Sequence, residues 1–144
     1  MPGLQPYDSN QVSVTLGGRA IDAGRAAGKF IATEYTSELF KMTPTADGVV
    51  VRSKINNQSA SIKVTVLQTS PAHALLTELY AAAQASTNGG DLMAFEVRDL
   101  NGGGLRESAA RCWFEKAPAS EYGAEAGERE WTLATDWLVR AVGT

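Results

Sequence analysis

Ser59-Ala60-Ser61-Ile62-Lys63-Val64-Thr65-Val66-Leu67-Gln68-Thr69-Ser70-Pro71 reads as a strand that runs straight into the first turn of a helix. Ile62, Val64 and Val66 fall on one side of an extended backbone, and Ser61, Lys63 and Thr65 on the other. That two-residue period is the mark of a half-buried strand. The period changes at Thr69-Ser70-Pro71. A hydroxyl residue suits the N-cap because it accepts an orphan backbone N–H, and proline suits the first helical position because its missing N–H has no partner there anyway. Leu75, Leu76, Leu79, Tyr80 and Ala83 then recur at helical spacing and predict one apolar stripe on a helix over about 71–86. Asn88-Gly89-Gly90 is the expected stop.

Strand signals dominate on both sides of this stretch. Gln11 to Leu16 alternates, with Val12, Val14 and Leu16 on one face, and Gly17-Gly18 marks a turn after it. Lys29 to Leu39 is rich in β-forming residues (Phe30, Ile31, Thr33, Tyr35, Thr36) and reads as one strand. Val49 to Ile55 is the next, opened by Gly48 and expected to form a hairpin with Ser59 to Gln68 across Asn56-Asn57-Gln58. Beyond the helix, Leu92 to Leu100 and Ala109 to Lys116 flank a turn at Asn101-Gly102-Gly103-Gly104. Glu130 to Val142 reads as one long last strand, apolar on both sides: Trp131, Leu133, Trp137 and Val139 on one, Leu138 and Val142 on the other. Ala117 to Arg129, rich in glycine, alanine and glutamate, is expected to be a mobile surface loop. About seven strands with one flanking helix predict a mainly β fold, a β-sandwich or a partly closed barrel. The expected organisation is a flexible N-terminal segment, 1–10, followed by a single domain, 11–144.

At 144 residues, 44% hydrophobic and 20% charged, the chain is large enough to bury roughly 70% of its unfolded surface around one core. Met1 to Asn10 has neither a basic nor an apolar run, so no secretory signal is expected there, and no apolar run reaches the roughly 20 residues that cross a bilayer. The net charge is −3 and unevenly spread. Residues 1–75 carry seven Lys/Arg and five Asp/Glu, whereas residues 76–144 carry six and eleven. Arg52, Lys54 and Lys63 are the only close basic set, too thin a footprint for nucleic-acid affinity.

The groups that carry chemistry are scarce. Cys112 is the only cysteine and His73 the only histidine, which excludes an internal disulfide and a two-histidine metal site. Cys112 lies in a strand-like run and reads as a buried small hydrophobe. His73, in the first helical turn, is expected to face solvent. Glu96, Asp99 and Glu107 have no spacing that would set two carboxylates around a substrate, and Glu96 and Arg98 should project from one strand face as surface charge. Gly102-Gly103-Gly104 lacks the lysine and hydroxyl residue of a phosphate-binding loop. No catalytic residue, metal ligand or cofactor site is expected, and the chain reads as structural rather than enzymatic.

Val66-Leu67-Gln68-Thr69-Ser70-Pro71, Val97-Arg98-Asp99-Leu100-Asn101-Gly102 and Gly127-Glu128-Arg129-Glu130-Trp131, with Gln11-Val12-Ser13-Val14-Thr15, together resemble the tail tube proteins of contractile-tailed bacteriophages and prophages. The likeness runs from about Gln11 to Val142 and extends in architecture to the haemolysin-coregulated tube protein of type VI secretion. It implies a virion structural protein that is assembled in the host cytoplasm. Its subunits form hexameric rings that stack into a channel through which DNA passes without specific binding. Copies of itself, a tail sheath, a tape-measure protein, and baseplate and terminator proteins are the implied partners, with no membrane. A tube initiator or terminator and a type VI tube protein are the neighbouring readings. A small ligand-binding β-barrel is the reading from another class.

Strand pairing between subunits would remove exposed sheet edges, and a channel for DNA calls for acidic and neutral rather than cationic walls. Tyr35 to Gly48 and Gly17 to Gly28 read as polar loops longer than hairpins need, expected to order only on assembly. The candidate assembly residues are Glu38, Leu39, Phe40, Lys41 and Met42 from the first of these, with Glu121, Tyr122 and Glu125 from the 117–129 loop.

Overall fold

The structure is a computed structural model, and it describes residues 7–21, 25–26, 28–87, 92–101 and 104–142. A short 3-10 turn, Ser9–Gln11, leads into β1 (Val12–Leu16) and β2 (Arg19–Ala20). Then come β3 (Ile31–Tyr35), β4 (Phe40–Pro44), β5 (Val50–Lys54) and β6 (Ala60–Leu67), followed by the helix α1 (Pro71–Ala85). β7 (Met93–Asp99), β8 (Leu105–Lys116), β9 (Glu128–Thr135) and β10 (Val139–Val142) complete the chain. The fold is mainly β with one flanking helix, as the sequence predicts, but the described residues form ten strands rather than about seven. Eight form one antiparallel sheet, ordered β2-β1-β7-β8-β9-β6-β3 with β10 also on β8, and the sheet does not close.

The alternation in β6 is realised in full. Ala60, Ile62, Val64 and Val66 are buried, and they join Val12, Val14 and Leu16 of β1, Phe95 and Val97 of β7, Cys112 of β8, and Trp131 and Leu133 of β9 in one cluster. Leu76 of the helix enters the same cluster. Strands from both arms of the sheet thus share one core, so the sheet curls over itself with the helix against it. Side chains fill the inward face. The cap works as its chemistry requires: the Ser70 hydroxyl accepts from the His73 N–H at 3.1 Å, with Pro71 at the first helical position. The helix ends at Ala85 with Ser86 as its cap. Asn88-Gly89-Gly90, the expected stop, lies outside the described residues, as do Gly102 and Gly103 of the expected turn before β8.

Three strand assignments from sequence need correction. Lys29–Leu39 is not one strand: β3 stops at Tyr35, the chain bends at Thr36 and Ser37, and a second strand, β4, begins at Phe40. Val49–Ile55 does not pair with Ser59–Gln68. β5 pairs with β4, and β6 pairs with β3 and β9. The reversal lies at Thr45-Ala46-Asp47-Gly48, where Gly48 has φ +80°, a left-handed conformation that glycine adopts without strain. An Asp-Gly dipeptide between strands is the signal that marks it.

The last strand is the third correction, since it is two strands, β9 and β10, separated by Asp136-Trp137-Leu138. Both lie along β8 in the same register, with Thr135 opposite Cys112 and Val139 opposite Ser108. The inward positions step by three on both strands, from Thr135 to Leu138 and from Ala109 to Cys112. That step turns Trp137 and Val139 outward while Trp131 and Leu133 stay buried.

Ahead of β1, residues 7–11 are attached to the body, with the Asp8 N–H donating to Asn101 Oδ1 at 3.0 Å. The rest of the expected flexible segment, 1–6, lies outside the described residues. Among the described residues, no helix is long and apolar enough to cross a membrane.

A candidate assembly surface

β3 and β6 form an antiparallel ladder up to Tyr35 opposite Ala60. β4 and β5 resume it with Phe40 opposite Lys54. Four residues separate the two ladders on the outgoing chain, Thr36 to Leu39, and five on the return, Ile55 to Ser59. The four strands are therefore one long ribbon with an extra residue on one side, and such a bulge twists and redirects the strands beyond it. The proximal half lies in the main sheet. The distal half is a separate two-stranded sheet, here called the arm, in which every residue of both strands is exposed.

Tyr35–Gly48 is consequently not a loop awaiting a partner but half of an ordered hairpin. Its turn is held by the Thr45 N–H and hydroxyl, which both donate to the Val49 carbonyl, at 2.8 and 2.7 Å. One face of the arm carries Phe40, Met42 and Pro44 opposite Lys54, Arg52 and Val50, and the other carries Lys41 and Thr43 opposite Ser53 and Val51. The Arg52 guanidinium lies 4.4 Å from the Phe40 ring centre, a cation–π contact that orders both side chains. Leu39, Met42, Val49, Val50 and Val51 are exposed in addition, Met42 at 69%. A two-stranded hairpin alone is marginal in water, and a contiguous apolar patch on a surface marks a contact site. Of the expected assembly residues, Glu38, Leu39, Phe40, Lys41 and Met42 all fall on this arm or at its base. The other segment, Gly17–Gly28, holds β2 and the buried Ile21, with residues 22–24 and 27 outside the described set.

Glu121, Tyr122 and Glu125 lie far from the arm in sequence, on the loop between β8 and β9. The loop is fastened at its C-terminal end, where the Gly127 N–H donates to Gln68 Oε1 at 3.0 Å and the Gln68 N–H donates to the Gly127 carbonyl at 3.0 Å. Arg129, expected in the loop, is instead buried in β9, and its guanidinium donates to the carbonyls of Glu128 and Glu121. Between these fastenings, Tyr122 to Ala126 is wholly exposed, Tyr122 at 85%.

The outward side of β3, β6 and β9 is a polar sheet face. Ala32, Glu34, Ser61, Lys63, Thr65, Glu128 and Glu130 line an open hollow of about 440 Å³ there, with Lys63 and Glu130 3.9 Å apart. Across the sheet, Glu96 lies between Arg98 and Arg106, and Glu107 pairs with Arg140 at 2.7 Å. These charges form surface ion pairs, as expected of Glu96 and Arg98. The Arg140 guanidinium also donates to the Thr33 carbonyl at 2.8 Å, and the Tyr35 hydroxyl to the Leu138 carbonyl at 2.8 Å. Side chains thus bridge β3 and β10, which share no ladder.

His73 does not face solvent as its position in the first turn suggests. Its Nδ1 accepts from the Trp131 indole N–H at 3.2 Å, so the ring is neutral and half-buried, and burial followed by the nearby Arg129 charge lowers its pKa. Burial pushes the Cys112 thiol up to about 12, which leaves it without thiolate character near neutrality. Among the described residues no group of His, Cys, Asp and Glu is placed to hold a metal. The arrangement displays surfaces rather than reactive groups.

The sequence model of a family described as Bacteriophage PhiTE tail tube protein matches residues 9–140. The chain belongs to this phage tail tube family. It is a structural, non-enzymatic component of the tail. No individually curated protein matches the sequence. Solved structures of contractile injection systems share the fold. The tube-terminating cap of the anti-feeding prophage superposes with a TM-score of 0.65 at 14% identity, covering 99% of this chain and 95% of that one. A chain of the extended PVC sheath–tube complex, from an extracellular contractile injection system, gives 0.63 at 13% identity, with 95% and 92% covered. A chain of the extended PVC sheath/tube terminator gives 0.62 at 13%, with 94% and 96% covered. The fold thus recurs in chains of a tube-terminating cap, a sheath–tube complex and a sheath/tube terminator.

Proposed function

We propose that the chain is the repeating subunit of a phage tail tube, which closes into hexameric rings that stack head to tail. Residues 11–144 are the tube-forming domain. The arm is the observation that carries this reading: two ordered strands, exposed on both faces and apolar along one, on a chain of the tail tube family. A contact between unlike surfaces propagates into a ring or an open stack, and a projecting arm supplies one of the two surfaces required. Glu38 to Met42 lie at the stacking contact, with Glu121, Tyr122 and Glu125 as further assembly residues.

The polar β3-β6-β9 face suits the channel wall. Its Ser and Thr side chains, with Glu34, Glu128 and Glu130 against Lys29 and Lys63, leave no row of cations to retain phosphates. DNA passes through during ejection, a tape-measure protein occupies the channel beforehand, and a sheath encloses the tube. Baseplate and terminator proteins bound its ends, and assembly takes place in the host cytoplasm.

A tail terminator is the second reading, favoured by the similar likeness to chains of a cap, a sheath–tube complex and a sheath/tube terminator. Negative-stain microscopy of the purified chain separates them. A tube subunit gives open-ended tubes of stacked rings, a terminator gives single rings that do not stack, and a uniform monomer contradicts both.

A further inference from the structure

The arm is cationic as well as apolar. Residues 40–54 carry Lys41, Arg52 and Lys54 against Asp47, a balance of +2. The segment from Glu115 to Glu128 carries Glu115, Glu121, Glu125 and Glu128 against Lys116, a balance of −3. Among the described residues, no carboxylate lies within ion-pair distance of Lys41, Arg52 or Lys54. Among the same residues, the carboxylates of Glu115, Glu121, Glu125 and Glu128 form no ion pair. The ion pairs that do form lie elsewhere on the sheet.

The Glu115–Glu128 segment also offers shape. It borders an open hollow of about 610 Å³ at the rim of the β3-β6-β9 face, where Glu115, Glu121, Glu128 and Glu130 outnumber Lys63, Lys116 and Arg129. Arg129 is buried beside the rim, where its guanidinium is taken up by the backbone carbonyls of Glu128 and Glu121 and forms no ion pair with a carboxylate there. The exposed Tyr122 ring adds an apolar and π surface suited to Met42 and to the Arg52 guanidinium.

We infer that the arm of one copy docks on the Glu115–Glu128 segment of a second copy, with Lys41, Arg52 and Lys54 facing Glu115, Glu121 and Glu125. This rests on the reading that copies stack, and it names the receiving surface. The two surfaces are different parts of one chain, so a copy that receives an arm still has its own arm to offer, and the contact can repeat head-to-tail. Opposite charges across an interface mainly speed association and select the partner, and exposed pairs are screened within about 10 Å at 0.1 M salt. Assembly should therefore slow markedly between roughly 0.1 M and 1 M salt, where the screening length falls to about 3 Å.

Paired charge reversal tests the contact. Arg52→Glu with Lys54→Glu, and separately Glu121→Lys with Glu125→Lys, should each reduce sedimentable assemblies by about tenfold or more while the far-UV circular dichroism is retained. All four changes in one chain should restore assembly. Two results would overturn the inference: either double variant assembling like the parent, or a folded fourfold variant that does not recover. Loss of sheath binding alone, with assembly intact, would assign the arm to the sheath instead. If the parent chain itself never assembles under microscopy, the stacking reading fails along with this one. Parental assembly with unresponsive charge variants sinks only the arm-to-segment pairing.

Discussion

β5 and β6 lie one after the other on the same ribbon, five residues apart, and behave oppositely. β6 alternates, burying Ala60, Ile62, Val64 and Val66 while Lys63 stays outside. β5 places Val50 beside Val51 and then Arg52 and Lys54, with no period, and all five residues are exposed. Where one face of a strand is covered by its own chain, the sequence alternates. Where the apolar residues sit in a run and neither face is covered, the pattern suits a surface that another molecule will cover. The first region holds the fold together, and the second is free to assemble.

The sharpest way to break this contrast is to remove the arm. Thr36 and Ser59 lie side by side, the Thr36 N–H donating to the Ser59 carbonyl at 3.0 Å, so residues 37–58 can be replaced by an Asn-Gly turn that joins β3 directly to β6. This variant should remain a cooperatively folded monomer and lose assembly altogether, as read by sedimentation and microscopy. It is cleaner than deleting Glu38 to Thr45, which would leave β5 without its partner. An unfolded product would show that the arm supports the body after all.

A paired truncation comes next. Leu133 is fully buried, and Leu133→Ala should cost about 2–5 kcal/mol in urea unfolding of the unassembled chain. Met42→Ala should stay within about 0.5 kcal/mol in the same measurement. Equal losses would erase the distinction between the regions. Smaller again, Ser70→Ala removes the helix cap and should cost about 1 kcal/mol.

The smallest effect concerns His73. Its folded pKa is lower than the unfolded value of 6.5, because burial, Arg129 and the Trp131 hydrogen bond all favour the neutral ring. The unfolded chain therefore binds the proton first. The stability this supplies is complete above pH 6.5 and is lost as pH falls below it towards the folded pKa. His73→Phe should flatten that part of the stability–pH curve, and an unchanged slope would remove the role assigned to the ring.

Much of the body was legible in the sequence. The period of β6, the Ser70-Pro71 start and the stripe through Leu76 specify strand, cap and helix by local rules, and the structure follows them closely. The arm was less legible, because the Asp47-Gly48 turn competed with the polar run Asn56-Asn57-Gln58, and only pairing decides which one reverses the chain. Strand partners are non-local, so β5 could not be assigned to β4 rather than β6 from their own residues. The interruption between β9 and β10 depends on a matching step in β8 across the ladder, which the apolar pattern of one strand does not contain. His73 was misplaced for a related reason: its partner, Trp131, is 58 residues away. The candidate site was found as residues but not as a shape. Glu38 to Met42 stood out as a segment too long for a turn, yet its order as a hairpin arises from β5.

Hydrogen exchange of residues 39–55, followed before and after assembly, tests the central claim most directly. The arm has a ladder of its own but no cover, so its amides should exchange quickly in the unassembled chain while those of β6 and β9 are protected. On assembly the arm should become protected to a degree approaching the body, with little change in β6. Arm amides that exchange as fast in assembled tubes as in the free chain would contradict the account, because the surface assigned to assembly would then remain uncovered.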